Sequence, residues 1–204
     1  MGQAGPGGAR SAAAGLSGDR GQLGGRGHPG VTGGAAPLPR AAQTARLVGE
    51  RLDGVPVRRS EAAGDYIPYM PLREELPADS ADATLARLAR FPAGEREGGT
   101  ALAREALARF TGPVPGDEPR HELVVTHNFL IGWLVRDALD APPWWRLGLD
   151  HGNAALTVIR YAPGRPASLV FYNDMRHLPV QLRWTGFPPG YSPDVTAGEE
   201  RPPR

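Results

Sequence analysis

The chain has 204 residues, 23 basic against 22 acidic, and its formal charge of +1 provides no net field to gather nucleic acid or an anionic lipid surface. Cysteine is absent and every basic residue is arginine, which removes disulfides, thiolate nucleophiles, Cys-ligated zinc, Schiff-base lysines and lysine-containing phosphate loops together. The longest apolar run, Phe129 to Val135, falls far short of the roughly 20 residues that span a bilayer, and no basic start followed by an apolar stretch opens the chain. The expectation is a soluble cytoplasmic protein with one core of roughly 150 residues, in which any phosphate is held by Arg, His or backbone amides.

Residues 1–35 are dominated by Gly, Ala and Arg, with almost nothing large and apolar to bury, and are read as an irregular segment. The globular domain is placed at 36–184. Pro37-Leu38-Pro39-Arg40 opens a helix over about 39–53, with Ala41, Ala45, Val48 and Leu52 at helical spacing, stopped by Asp53-Gly54. Val55 to Val57 start a short strand. Pro68, Pro71 and Pro77 forbid a regular element over 66–77, which reads as a shaped loop over one face. Ser80 and Thr100 cap two surface helices, about 80–91 and 100–111, separated by a flexible segment PAGEREGG.

The strand ELVVT then runs into His127-Asn128 and a helix over about 129–139. Two further strands, Ala155 to Tyr161 and Ala167 to Tyr172, flank the turn APGRP, and residues 185–204 form a polar Gly/Pro-rich tail. Strands alternating with helices predict an α/β fold: a three-layer sandwich, its central sheet mostly parallel and covered on both faces.

In such sheets ligands gather at the carboxyl ends of the strands, so what each strand ends in matters. ELVVT ends in His127, with Asn128 opening a helix whose amides suit an anion; the residue equally satisfies a strand-to-helix turn. Arg40 sits at a helix N-terminus, where a cation is disfavoured and calls for a compensating anion, unless it is simply a solvated surface arginine. His121 belongs to a surface turn, His151 in LDHGN is structural, and His177 lies after the last strand. No H-x-x-x-H or HExxH spacing offers a metal site. Trp133, Trp144 and Trp145 are expected to pack helices.

The combination PLPRAAQTA, then ELVVTHNFLIGWLVRDAL, then APPWWRLGLDHGNAALTVIRY resembles the histidine phosphatase family, the phosphoglycerate mutase-like superfamily, over roughly residues 35–182. The resemblance implies a phosphoglycerate mutase-like fold and hydrolysis of a phosphate monoester through a phosphohistidine, without metal or cofactor. The substrate would be a phosphorylated small molecule or a phosphoprotein. It implies that Arg40 and His127 surround the phosphoryl oxygens with Asn128 lining the pocket, and that a carboxylic acid protonates the leaving oxygen. That acid is Asp65 or Glu61, with Asp65 preferred for its spacing to Pro68; either could instead be a solvated loop residue. Fixed guanidinium and imidazole donors suit the charge that builds on phosphoryl oxygens.

The family's Arg-His-Gly motif, which carries the phospho-acceptor, occurs nowhere in the chain. Arg26-Gly27-His28 transposes it and lacks a preceding strand. Gly2-Gln3-Ala4, directly after Met1, matches the residues that follow the motif's His, so the expectation is a reading frame opened late, with the first strand missing and residues 18–34 altered. A missing central strand would leave sheet edges exposed. The competing expectation is a non-catalytic member that binds a phosphorylated ligand or a partner. Oligomeric state is not readable.

Overall fold

A computed structural model describes residues 11–14, 31–52, 55–114 and 120–187. In chain order the elements are β1 (Ser11–Ala14), β2 (Val31–Ala35), α1 (Pro39–Arg51), β3 (Val57–Arg59), α2 (Ala81–Ala89), α3 (Ala93–Glu97), α4 (Gly99–Phe110), β4 (His121–His127), α5 (Asn128–Ala138), β5 (Ala155–Arg160) and β6 (Ser168–Asp174). The strands form one sheet in the order β3-β2-β4-β1-β5-β6. Strands β3, β2 and β4 are mutually parallel, β1 runs antiparallel to β4 and parallel to β5, and β6 is antiparallel to β5. The helix-flanked parallel unit is the α/β arrangement that the alternating pattern predicts.

The two faces can be told apart at β2. Gly33 looks at Val57, which touches Gly49 of α1, whereas Gly34 looks at the Phe110 ring at the end of α4. Helices α1 and α4 therefore cover opposite faces. The register pairs Gly33 with Leu123 and Gly34 with Val124, so the pleat sends Leu123 and Val125 toward α1, and Val124 and Thr126 toward α4. The main core unites Ala41 and Ala45 of α1, Ala103 and Ala106 of α4, Leu123 to Val125 of β4, and Leu130, Trp133 and Leu134 of α5. Alanines let helix backbones approach the sheet closely, and β4 and α5 supply the bulk.

Three expectations need correction. Residues 1–35 are not irregular throughout: β1 and β2 lie within them, and β2 is an inner strand of the sheet. Its sequence VTGGA has no large side chain because Gly34 faces Phe110 and Val124 at ordinary contact distance, leaving little room for one. The sheet is also continuous: β1 lies between β4 and β5, so it has no open interior edges of the kind a missing central strand would leave. Third, PAGEREGG is not a flexible linker, since it contains α3. Pro92 precedes that helix with φ −52°, and the Ile67 amide donates to the Glu95 carbonyl at 3.0 Å, fixing the segment to the loop after β3.

Smaller differences lie at ends. The short strand β3 starts at Val57 and is an exposed edge. Tyr69 and Glu75 tie the proline-rich loop together, with the Tyr69 hydroxyl 2.7 Å from Glu75 Oε2. Trp133 packs in the core, but Trp145 is about half exposed. Order continues past residue 184, because the Asn153 amide donates to the Thr185 carbonyl at 2.8 Å. His28 lies outside the described residues.

Candidate functional site

Arg40 is the second residue of α1. Pro39 before it has a preset φ and no amide to satisfy, so it starts the helix without loss. The Leu38 carbonyl accepts from the Ala41 and Ala42 amides at 3.0 Å and closes the first turn. The guanidinium thus stands at the amino end of α1, where the peptide dipoles disfavour it. The compensating anion is Asp65: Arg40 Nη2 donates to Asp65 Oδ2 at 2.6 Å.

His127 comes from the opposite direction in sequence and the same end of the sheet in space. Leu123, Val124 and Val125 are buried on both faces of β4 and carry the chain inward to Thr126 and His127, each 2 % exposed. His127 keeps extended angles, φ −122° and ψ 161°, and α5 begins at the next residue. Arg40 Nη2 lies 3.2 Å from His127 Nδ1. A guanidinium can only donate, so in this contact Nδ1 is on the accepting side. Asp65 Oδ2 is 3.6 Å from the same Nδ1, beyond hydrogen-bonding distance, so Arg40 rather than Asp65 is the partner of this nitrogen.

The loop that presents Asp65 is clamped from three sides. Thr126 Oγ1 donates to the Ala63 carbonyl at 2.6 Å, the Tyr66 hydroxyl donates to the Ala62 carbonyl at 2.8 Å, and the Ile67 amide is held by Glu95. Burial first, and Glu105 second, push the Tyr66 phenol well above its ordinary range, so it serves here as a neutral donor. Glu61, the alternative acid, is exposed at the start of the 3-10 turn Glu61–Ala63, whose Ala62 and Ala63 are buried. It is Asp65 that reaches Arg40.

Asn128 opens α5 and is hydrogen-bonded through both ends of its side-chain amide. Its Nδ2 donates to Asp150 Oδ1 at 3.1 Å, and its Oδ1 accepts from the His151 amide at 2.9 Å and faces His151 Nδ1 at 3.0 Å. The side chain therefore fastens the start of α5 to the turn before β5. His151 is 1 % exposed, its ring edge-on to Tyr172 with centroids 4.9 Å apart, and burial pushes its pKa down to about 3. It stays neutral, in keeping with the structural role read from the sequence. His177 Nε2 lies 3.0 Å from the Ala154 carbonyl, and His121 begins β4.

Three contributors were not singled out in the sequence. Thr126 was legible as the penultimate residue of an inner strand. Glu95 was hidden by the linker reading; burial and the Asp65 charge raise its pKa while Arg40 opposes them, so it belongs to the same electrostatic neighbourhood. Arg146, beside the two tryptophans, is buried to 2 % exposure.

Arg40 and Asp65 retain 40 % and 33 % side-chain exposure while His127 is enclosed. The cluster is thus a charged mouth over a buried imidazole. It offers two nitrogen-bearing groups to an anion and a carboxylate that competes for the same guanidinium. Among the described residues no group of three or more His, Asp or Glu is placed to hold a metal ion, and no helix is long and apolar enough to cross a membrane.

No curated protein matches the chain. Among solved structures, two mycobacterial hydrolases are each 28 % identical, one with a TM-score of 0.45 covering 70 % of this chain and 76 % of its own, the other with 0.46 covering 70 % of both. A mycobacterial glucosyl-3-phosphoglycerate phosphatase is 27 % identical, with a TM-score of 0.47 over 70 % of this chain and 77 % of its own. The model of the histidine phosphatase superfamily, branch 1, matches residues 31–174, from the first residue of β2 to the last of β6. The chain belongs to the histidine phosphatase superfamily.

Proposed function

We propose that this domain takes a phosphate monoester, with Arg40 and His127 holding the phosphoryl oxygens. Family membership supports a phosphatase-like function. The observation that carries the finer reading is the meeting of Arg40, Asp65 and His127, three residues spread over 87 positions of chain, within 3.6 Å of one another. A phosphoryl dianion entering the mouth replaces the Asp65 carboxylate on Arg40, and the main-chain amides that open α5 supply further donors. Asp65, displaced from Arg40, is the group placed to protonate the leaving oxygen when an attacking imidazole bonds to phosphorus and the ester P–O bond breaks. Turnover through a phosphohistidine needs an acceptor imidazole, and in this reading the chain lacks it. The substrate is a phosphorylated small molecule or a phosphoprotein, met in the cytoplasm.

A second reading, a phosphoryl-binding member without turnover, is favoured by the absence of an Arg-His-Gly string from the sequence. Hydrolysis of p-nitrophenyl phosphate by the purified chain, with Arg40→Ala as control, separates the two. Arg40-dependent turnover excludes the binding-only reading and requires an acceptor within this chain. Binding of inorganic phosphate without turnover excludes catalysis by this chain. Absence of both overturns the phosphate-monoester reading.

A further inference from the structure

Strand β3 closes one side of the sheet, and among the described residues no element lies beyond it. The Pro56 carbonyl accepts from the Gly33 amide at 3.2 Å, and the Ser60 amide donates to the Ala35 carbonyl at 3.0 Å. The backbones of Pro56, Arg58 and Ser60 therefore turn toward β2, and Val57 and Arg59 turn their amides and carbonyls outward. Side chains alternate as well, across the sheet. Val57 stands against Gly33 and Gly49, on the α1 face, and Arg59 follows two residues later, whereas Arg58 belongs to the α4 face. On the α1 side the edge borders a cleft of about 370 Å³, lined by apolar Ala42, Val55 and Val57 and by charged Arg46, Glu50 and Arg59.

Cations dominate both faces of this edge. Arg58 and Arg59 are exposed and make no ion pair with a described residue. On the α4 face Arg109, also exposed, donates to Ser60 Oγ at 3.1 Å and so stands at the end of the same strand. Of the nearby carboxylates, Glu50 is held by Arg46 at 2.6 Å, and Glu61 lies past the end of β3. Arginines on an edge keep neutral strands away. A second copy paired here would set Arg58 and Arg59 against their own kind. An acidic strand reverses the sign of both effects. We propose that β3 is a docking edge for an extended segment of another protein in which acidic and aliphatic residues alternate, added to the sheet as a further strand. Its aliphatic side chains enter the cleft on the α1 face, and its carboxylates meet Arg58 and Arg109 on the other. This surface stands apart from the phosphate-monoester reading and does not rest on it.

The probe is the peptide Ac-Glu-Ile-Glu-Val-Glu-Ile-Glu-NH2. It is set against its scrambled form, Ac-Glu-Glu-Ile-Ile-Val-Glu-Glu-NH2, and its basic counterpart, Ac-Lys-Ile-Lys-Val-Lys-Ile-Lys-NH2. Binding to the full chain is read by calorimetry and by amide hydrogen exchange. The alternating acidic peptide binds roughly tenfold tighter than either of the others, as opposite-charge pairs between strands allow. It slows exchange at the outward amides of Val57 and Arg59 by about as much, and leaves the Arg58 amide, already turned to β2, unchanged. Arg58→Glu, an exposed change, removes the preference and transfers it to the basic peptide, a swap that loss of folding cannot imitate. Equal binding of the scrambled peptide makes the edge a nonspecific cationic patch and overturns the proposal. Binding without protection at Val57 and Arg59, or a preference that survives in Arg58→Glu, overturns it too. Protection that grows with protein concentration in the absence of peptide gives the edge to a second copy and overturns it. No binding of the alternating acidic peptide does the same.

Discussion

Arg40 donates to Asp65 at 2.6 Å across twenty-five residues of chain, and each side chain of that pair remains open to solvent. An exposed ion pair contributes about 0–1 kcal/mol to folding. The same guanidinium at a phosphoryl group makes charge-assisted bonds worth several times more. Arg40→Met should therefore shift the melting temperature by only a few degrees while weakening phosphate binding by roughly 100-fold, as read by calorimetry beside a thermal melt. A large loss of stability with unchanged binding contradicts the assignment.

Asp65 occupies the place a ligand oxygen must take. Replacing it by Asn removes the competing charge and leaves Arg40 free to bind. Phosphate affinity in Asp65→Asn is expected to rise by about threefold to tenfold, since one charge-assisted bond no longer has to be exchanged. Glu61→Gln is expected to leave that affinity unchanged. Equal effects from the two substitutions would return the choice between the carboxylates to an open question.

Thr126 ties the Asp65 loop to β4 through a buried bond of 2.6 Å to the Ala63 carbonyl. Thr126→Val keeps the shape and removes the donor, leaving a buried carbonyl unsatisfied at a cost of about 1–3 kcal/mol. Chemical denaturation measures the loss. The accompanying fall in phosphate affinity tests whether that bond positions the site, and Thr126→Ser should restore most of it.

Gly99 shows how closely α4 meets the same loop, because a side chain there would run into the Ile67 carbonyl. Backbone cannot move aside as a flexible side chain does, so Gly99→Ala is expected to destabilise by about 1–3 kcal/mol or more. Gly94, with open space around it, is the control.

The pH dependence of folding should carry the signature of His151. Burial lowers its folded pKa from 6.5 to about 3, so between those values the unfolded chain binds a proton that the folded chain does not. Stability then rises with pH across that window and is lost as pH falls from about 6.5, by up to about 1.4 kcal/mol per pH unit. His151→Phe should flatten that acid limb in denaturant melts recorded from pH 7 to pH 4. An unchanged slope contradicts the buried neutral imidazole.

What was legible in the sequence and what was not divide along a physical line. His127 and Arg40 were legible because each follows a local rule: a strand of β-branched residues ending in a polar tip, and a proline-started helix. Asp65 followed no periodicity and was found by spacing, since its loop is shaped by three prolines and by bonds to β4 and Glu95. Strand β2 escaped because its two glycines and one alanine have nothing large to bury, and the bulk beside Gly34 belongs to Phe110 and Val124. The hydrogen bonds of Asn128 were not legible because its partners, Asp150 and His151, lie more than twenty residues away. Pairings of that range leave no local trace, and the burial of Arg146 leaves none either.

The most direct measurement is a titration of the ¹⁵N-labelled chain with inorganic phosphate, following the His127 ring nitrogens and the Arg40 guanidinium by long-range ¹H–¹⁵N NMR. If the two groups form a phosphoryl cradle, both move together and saturably, and neither moves in Arg40→Met. If saturating phosphate leaves the His127 ring and the Arg40 guanidinium where they were in the folded wild-type chain, the cradle does not exist and the roles built on it fall.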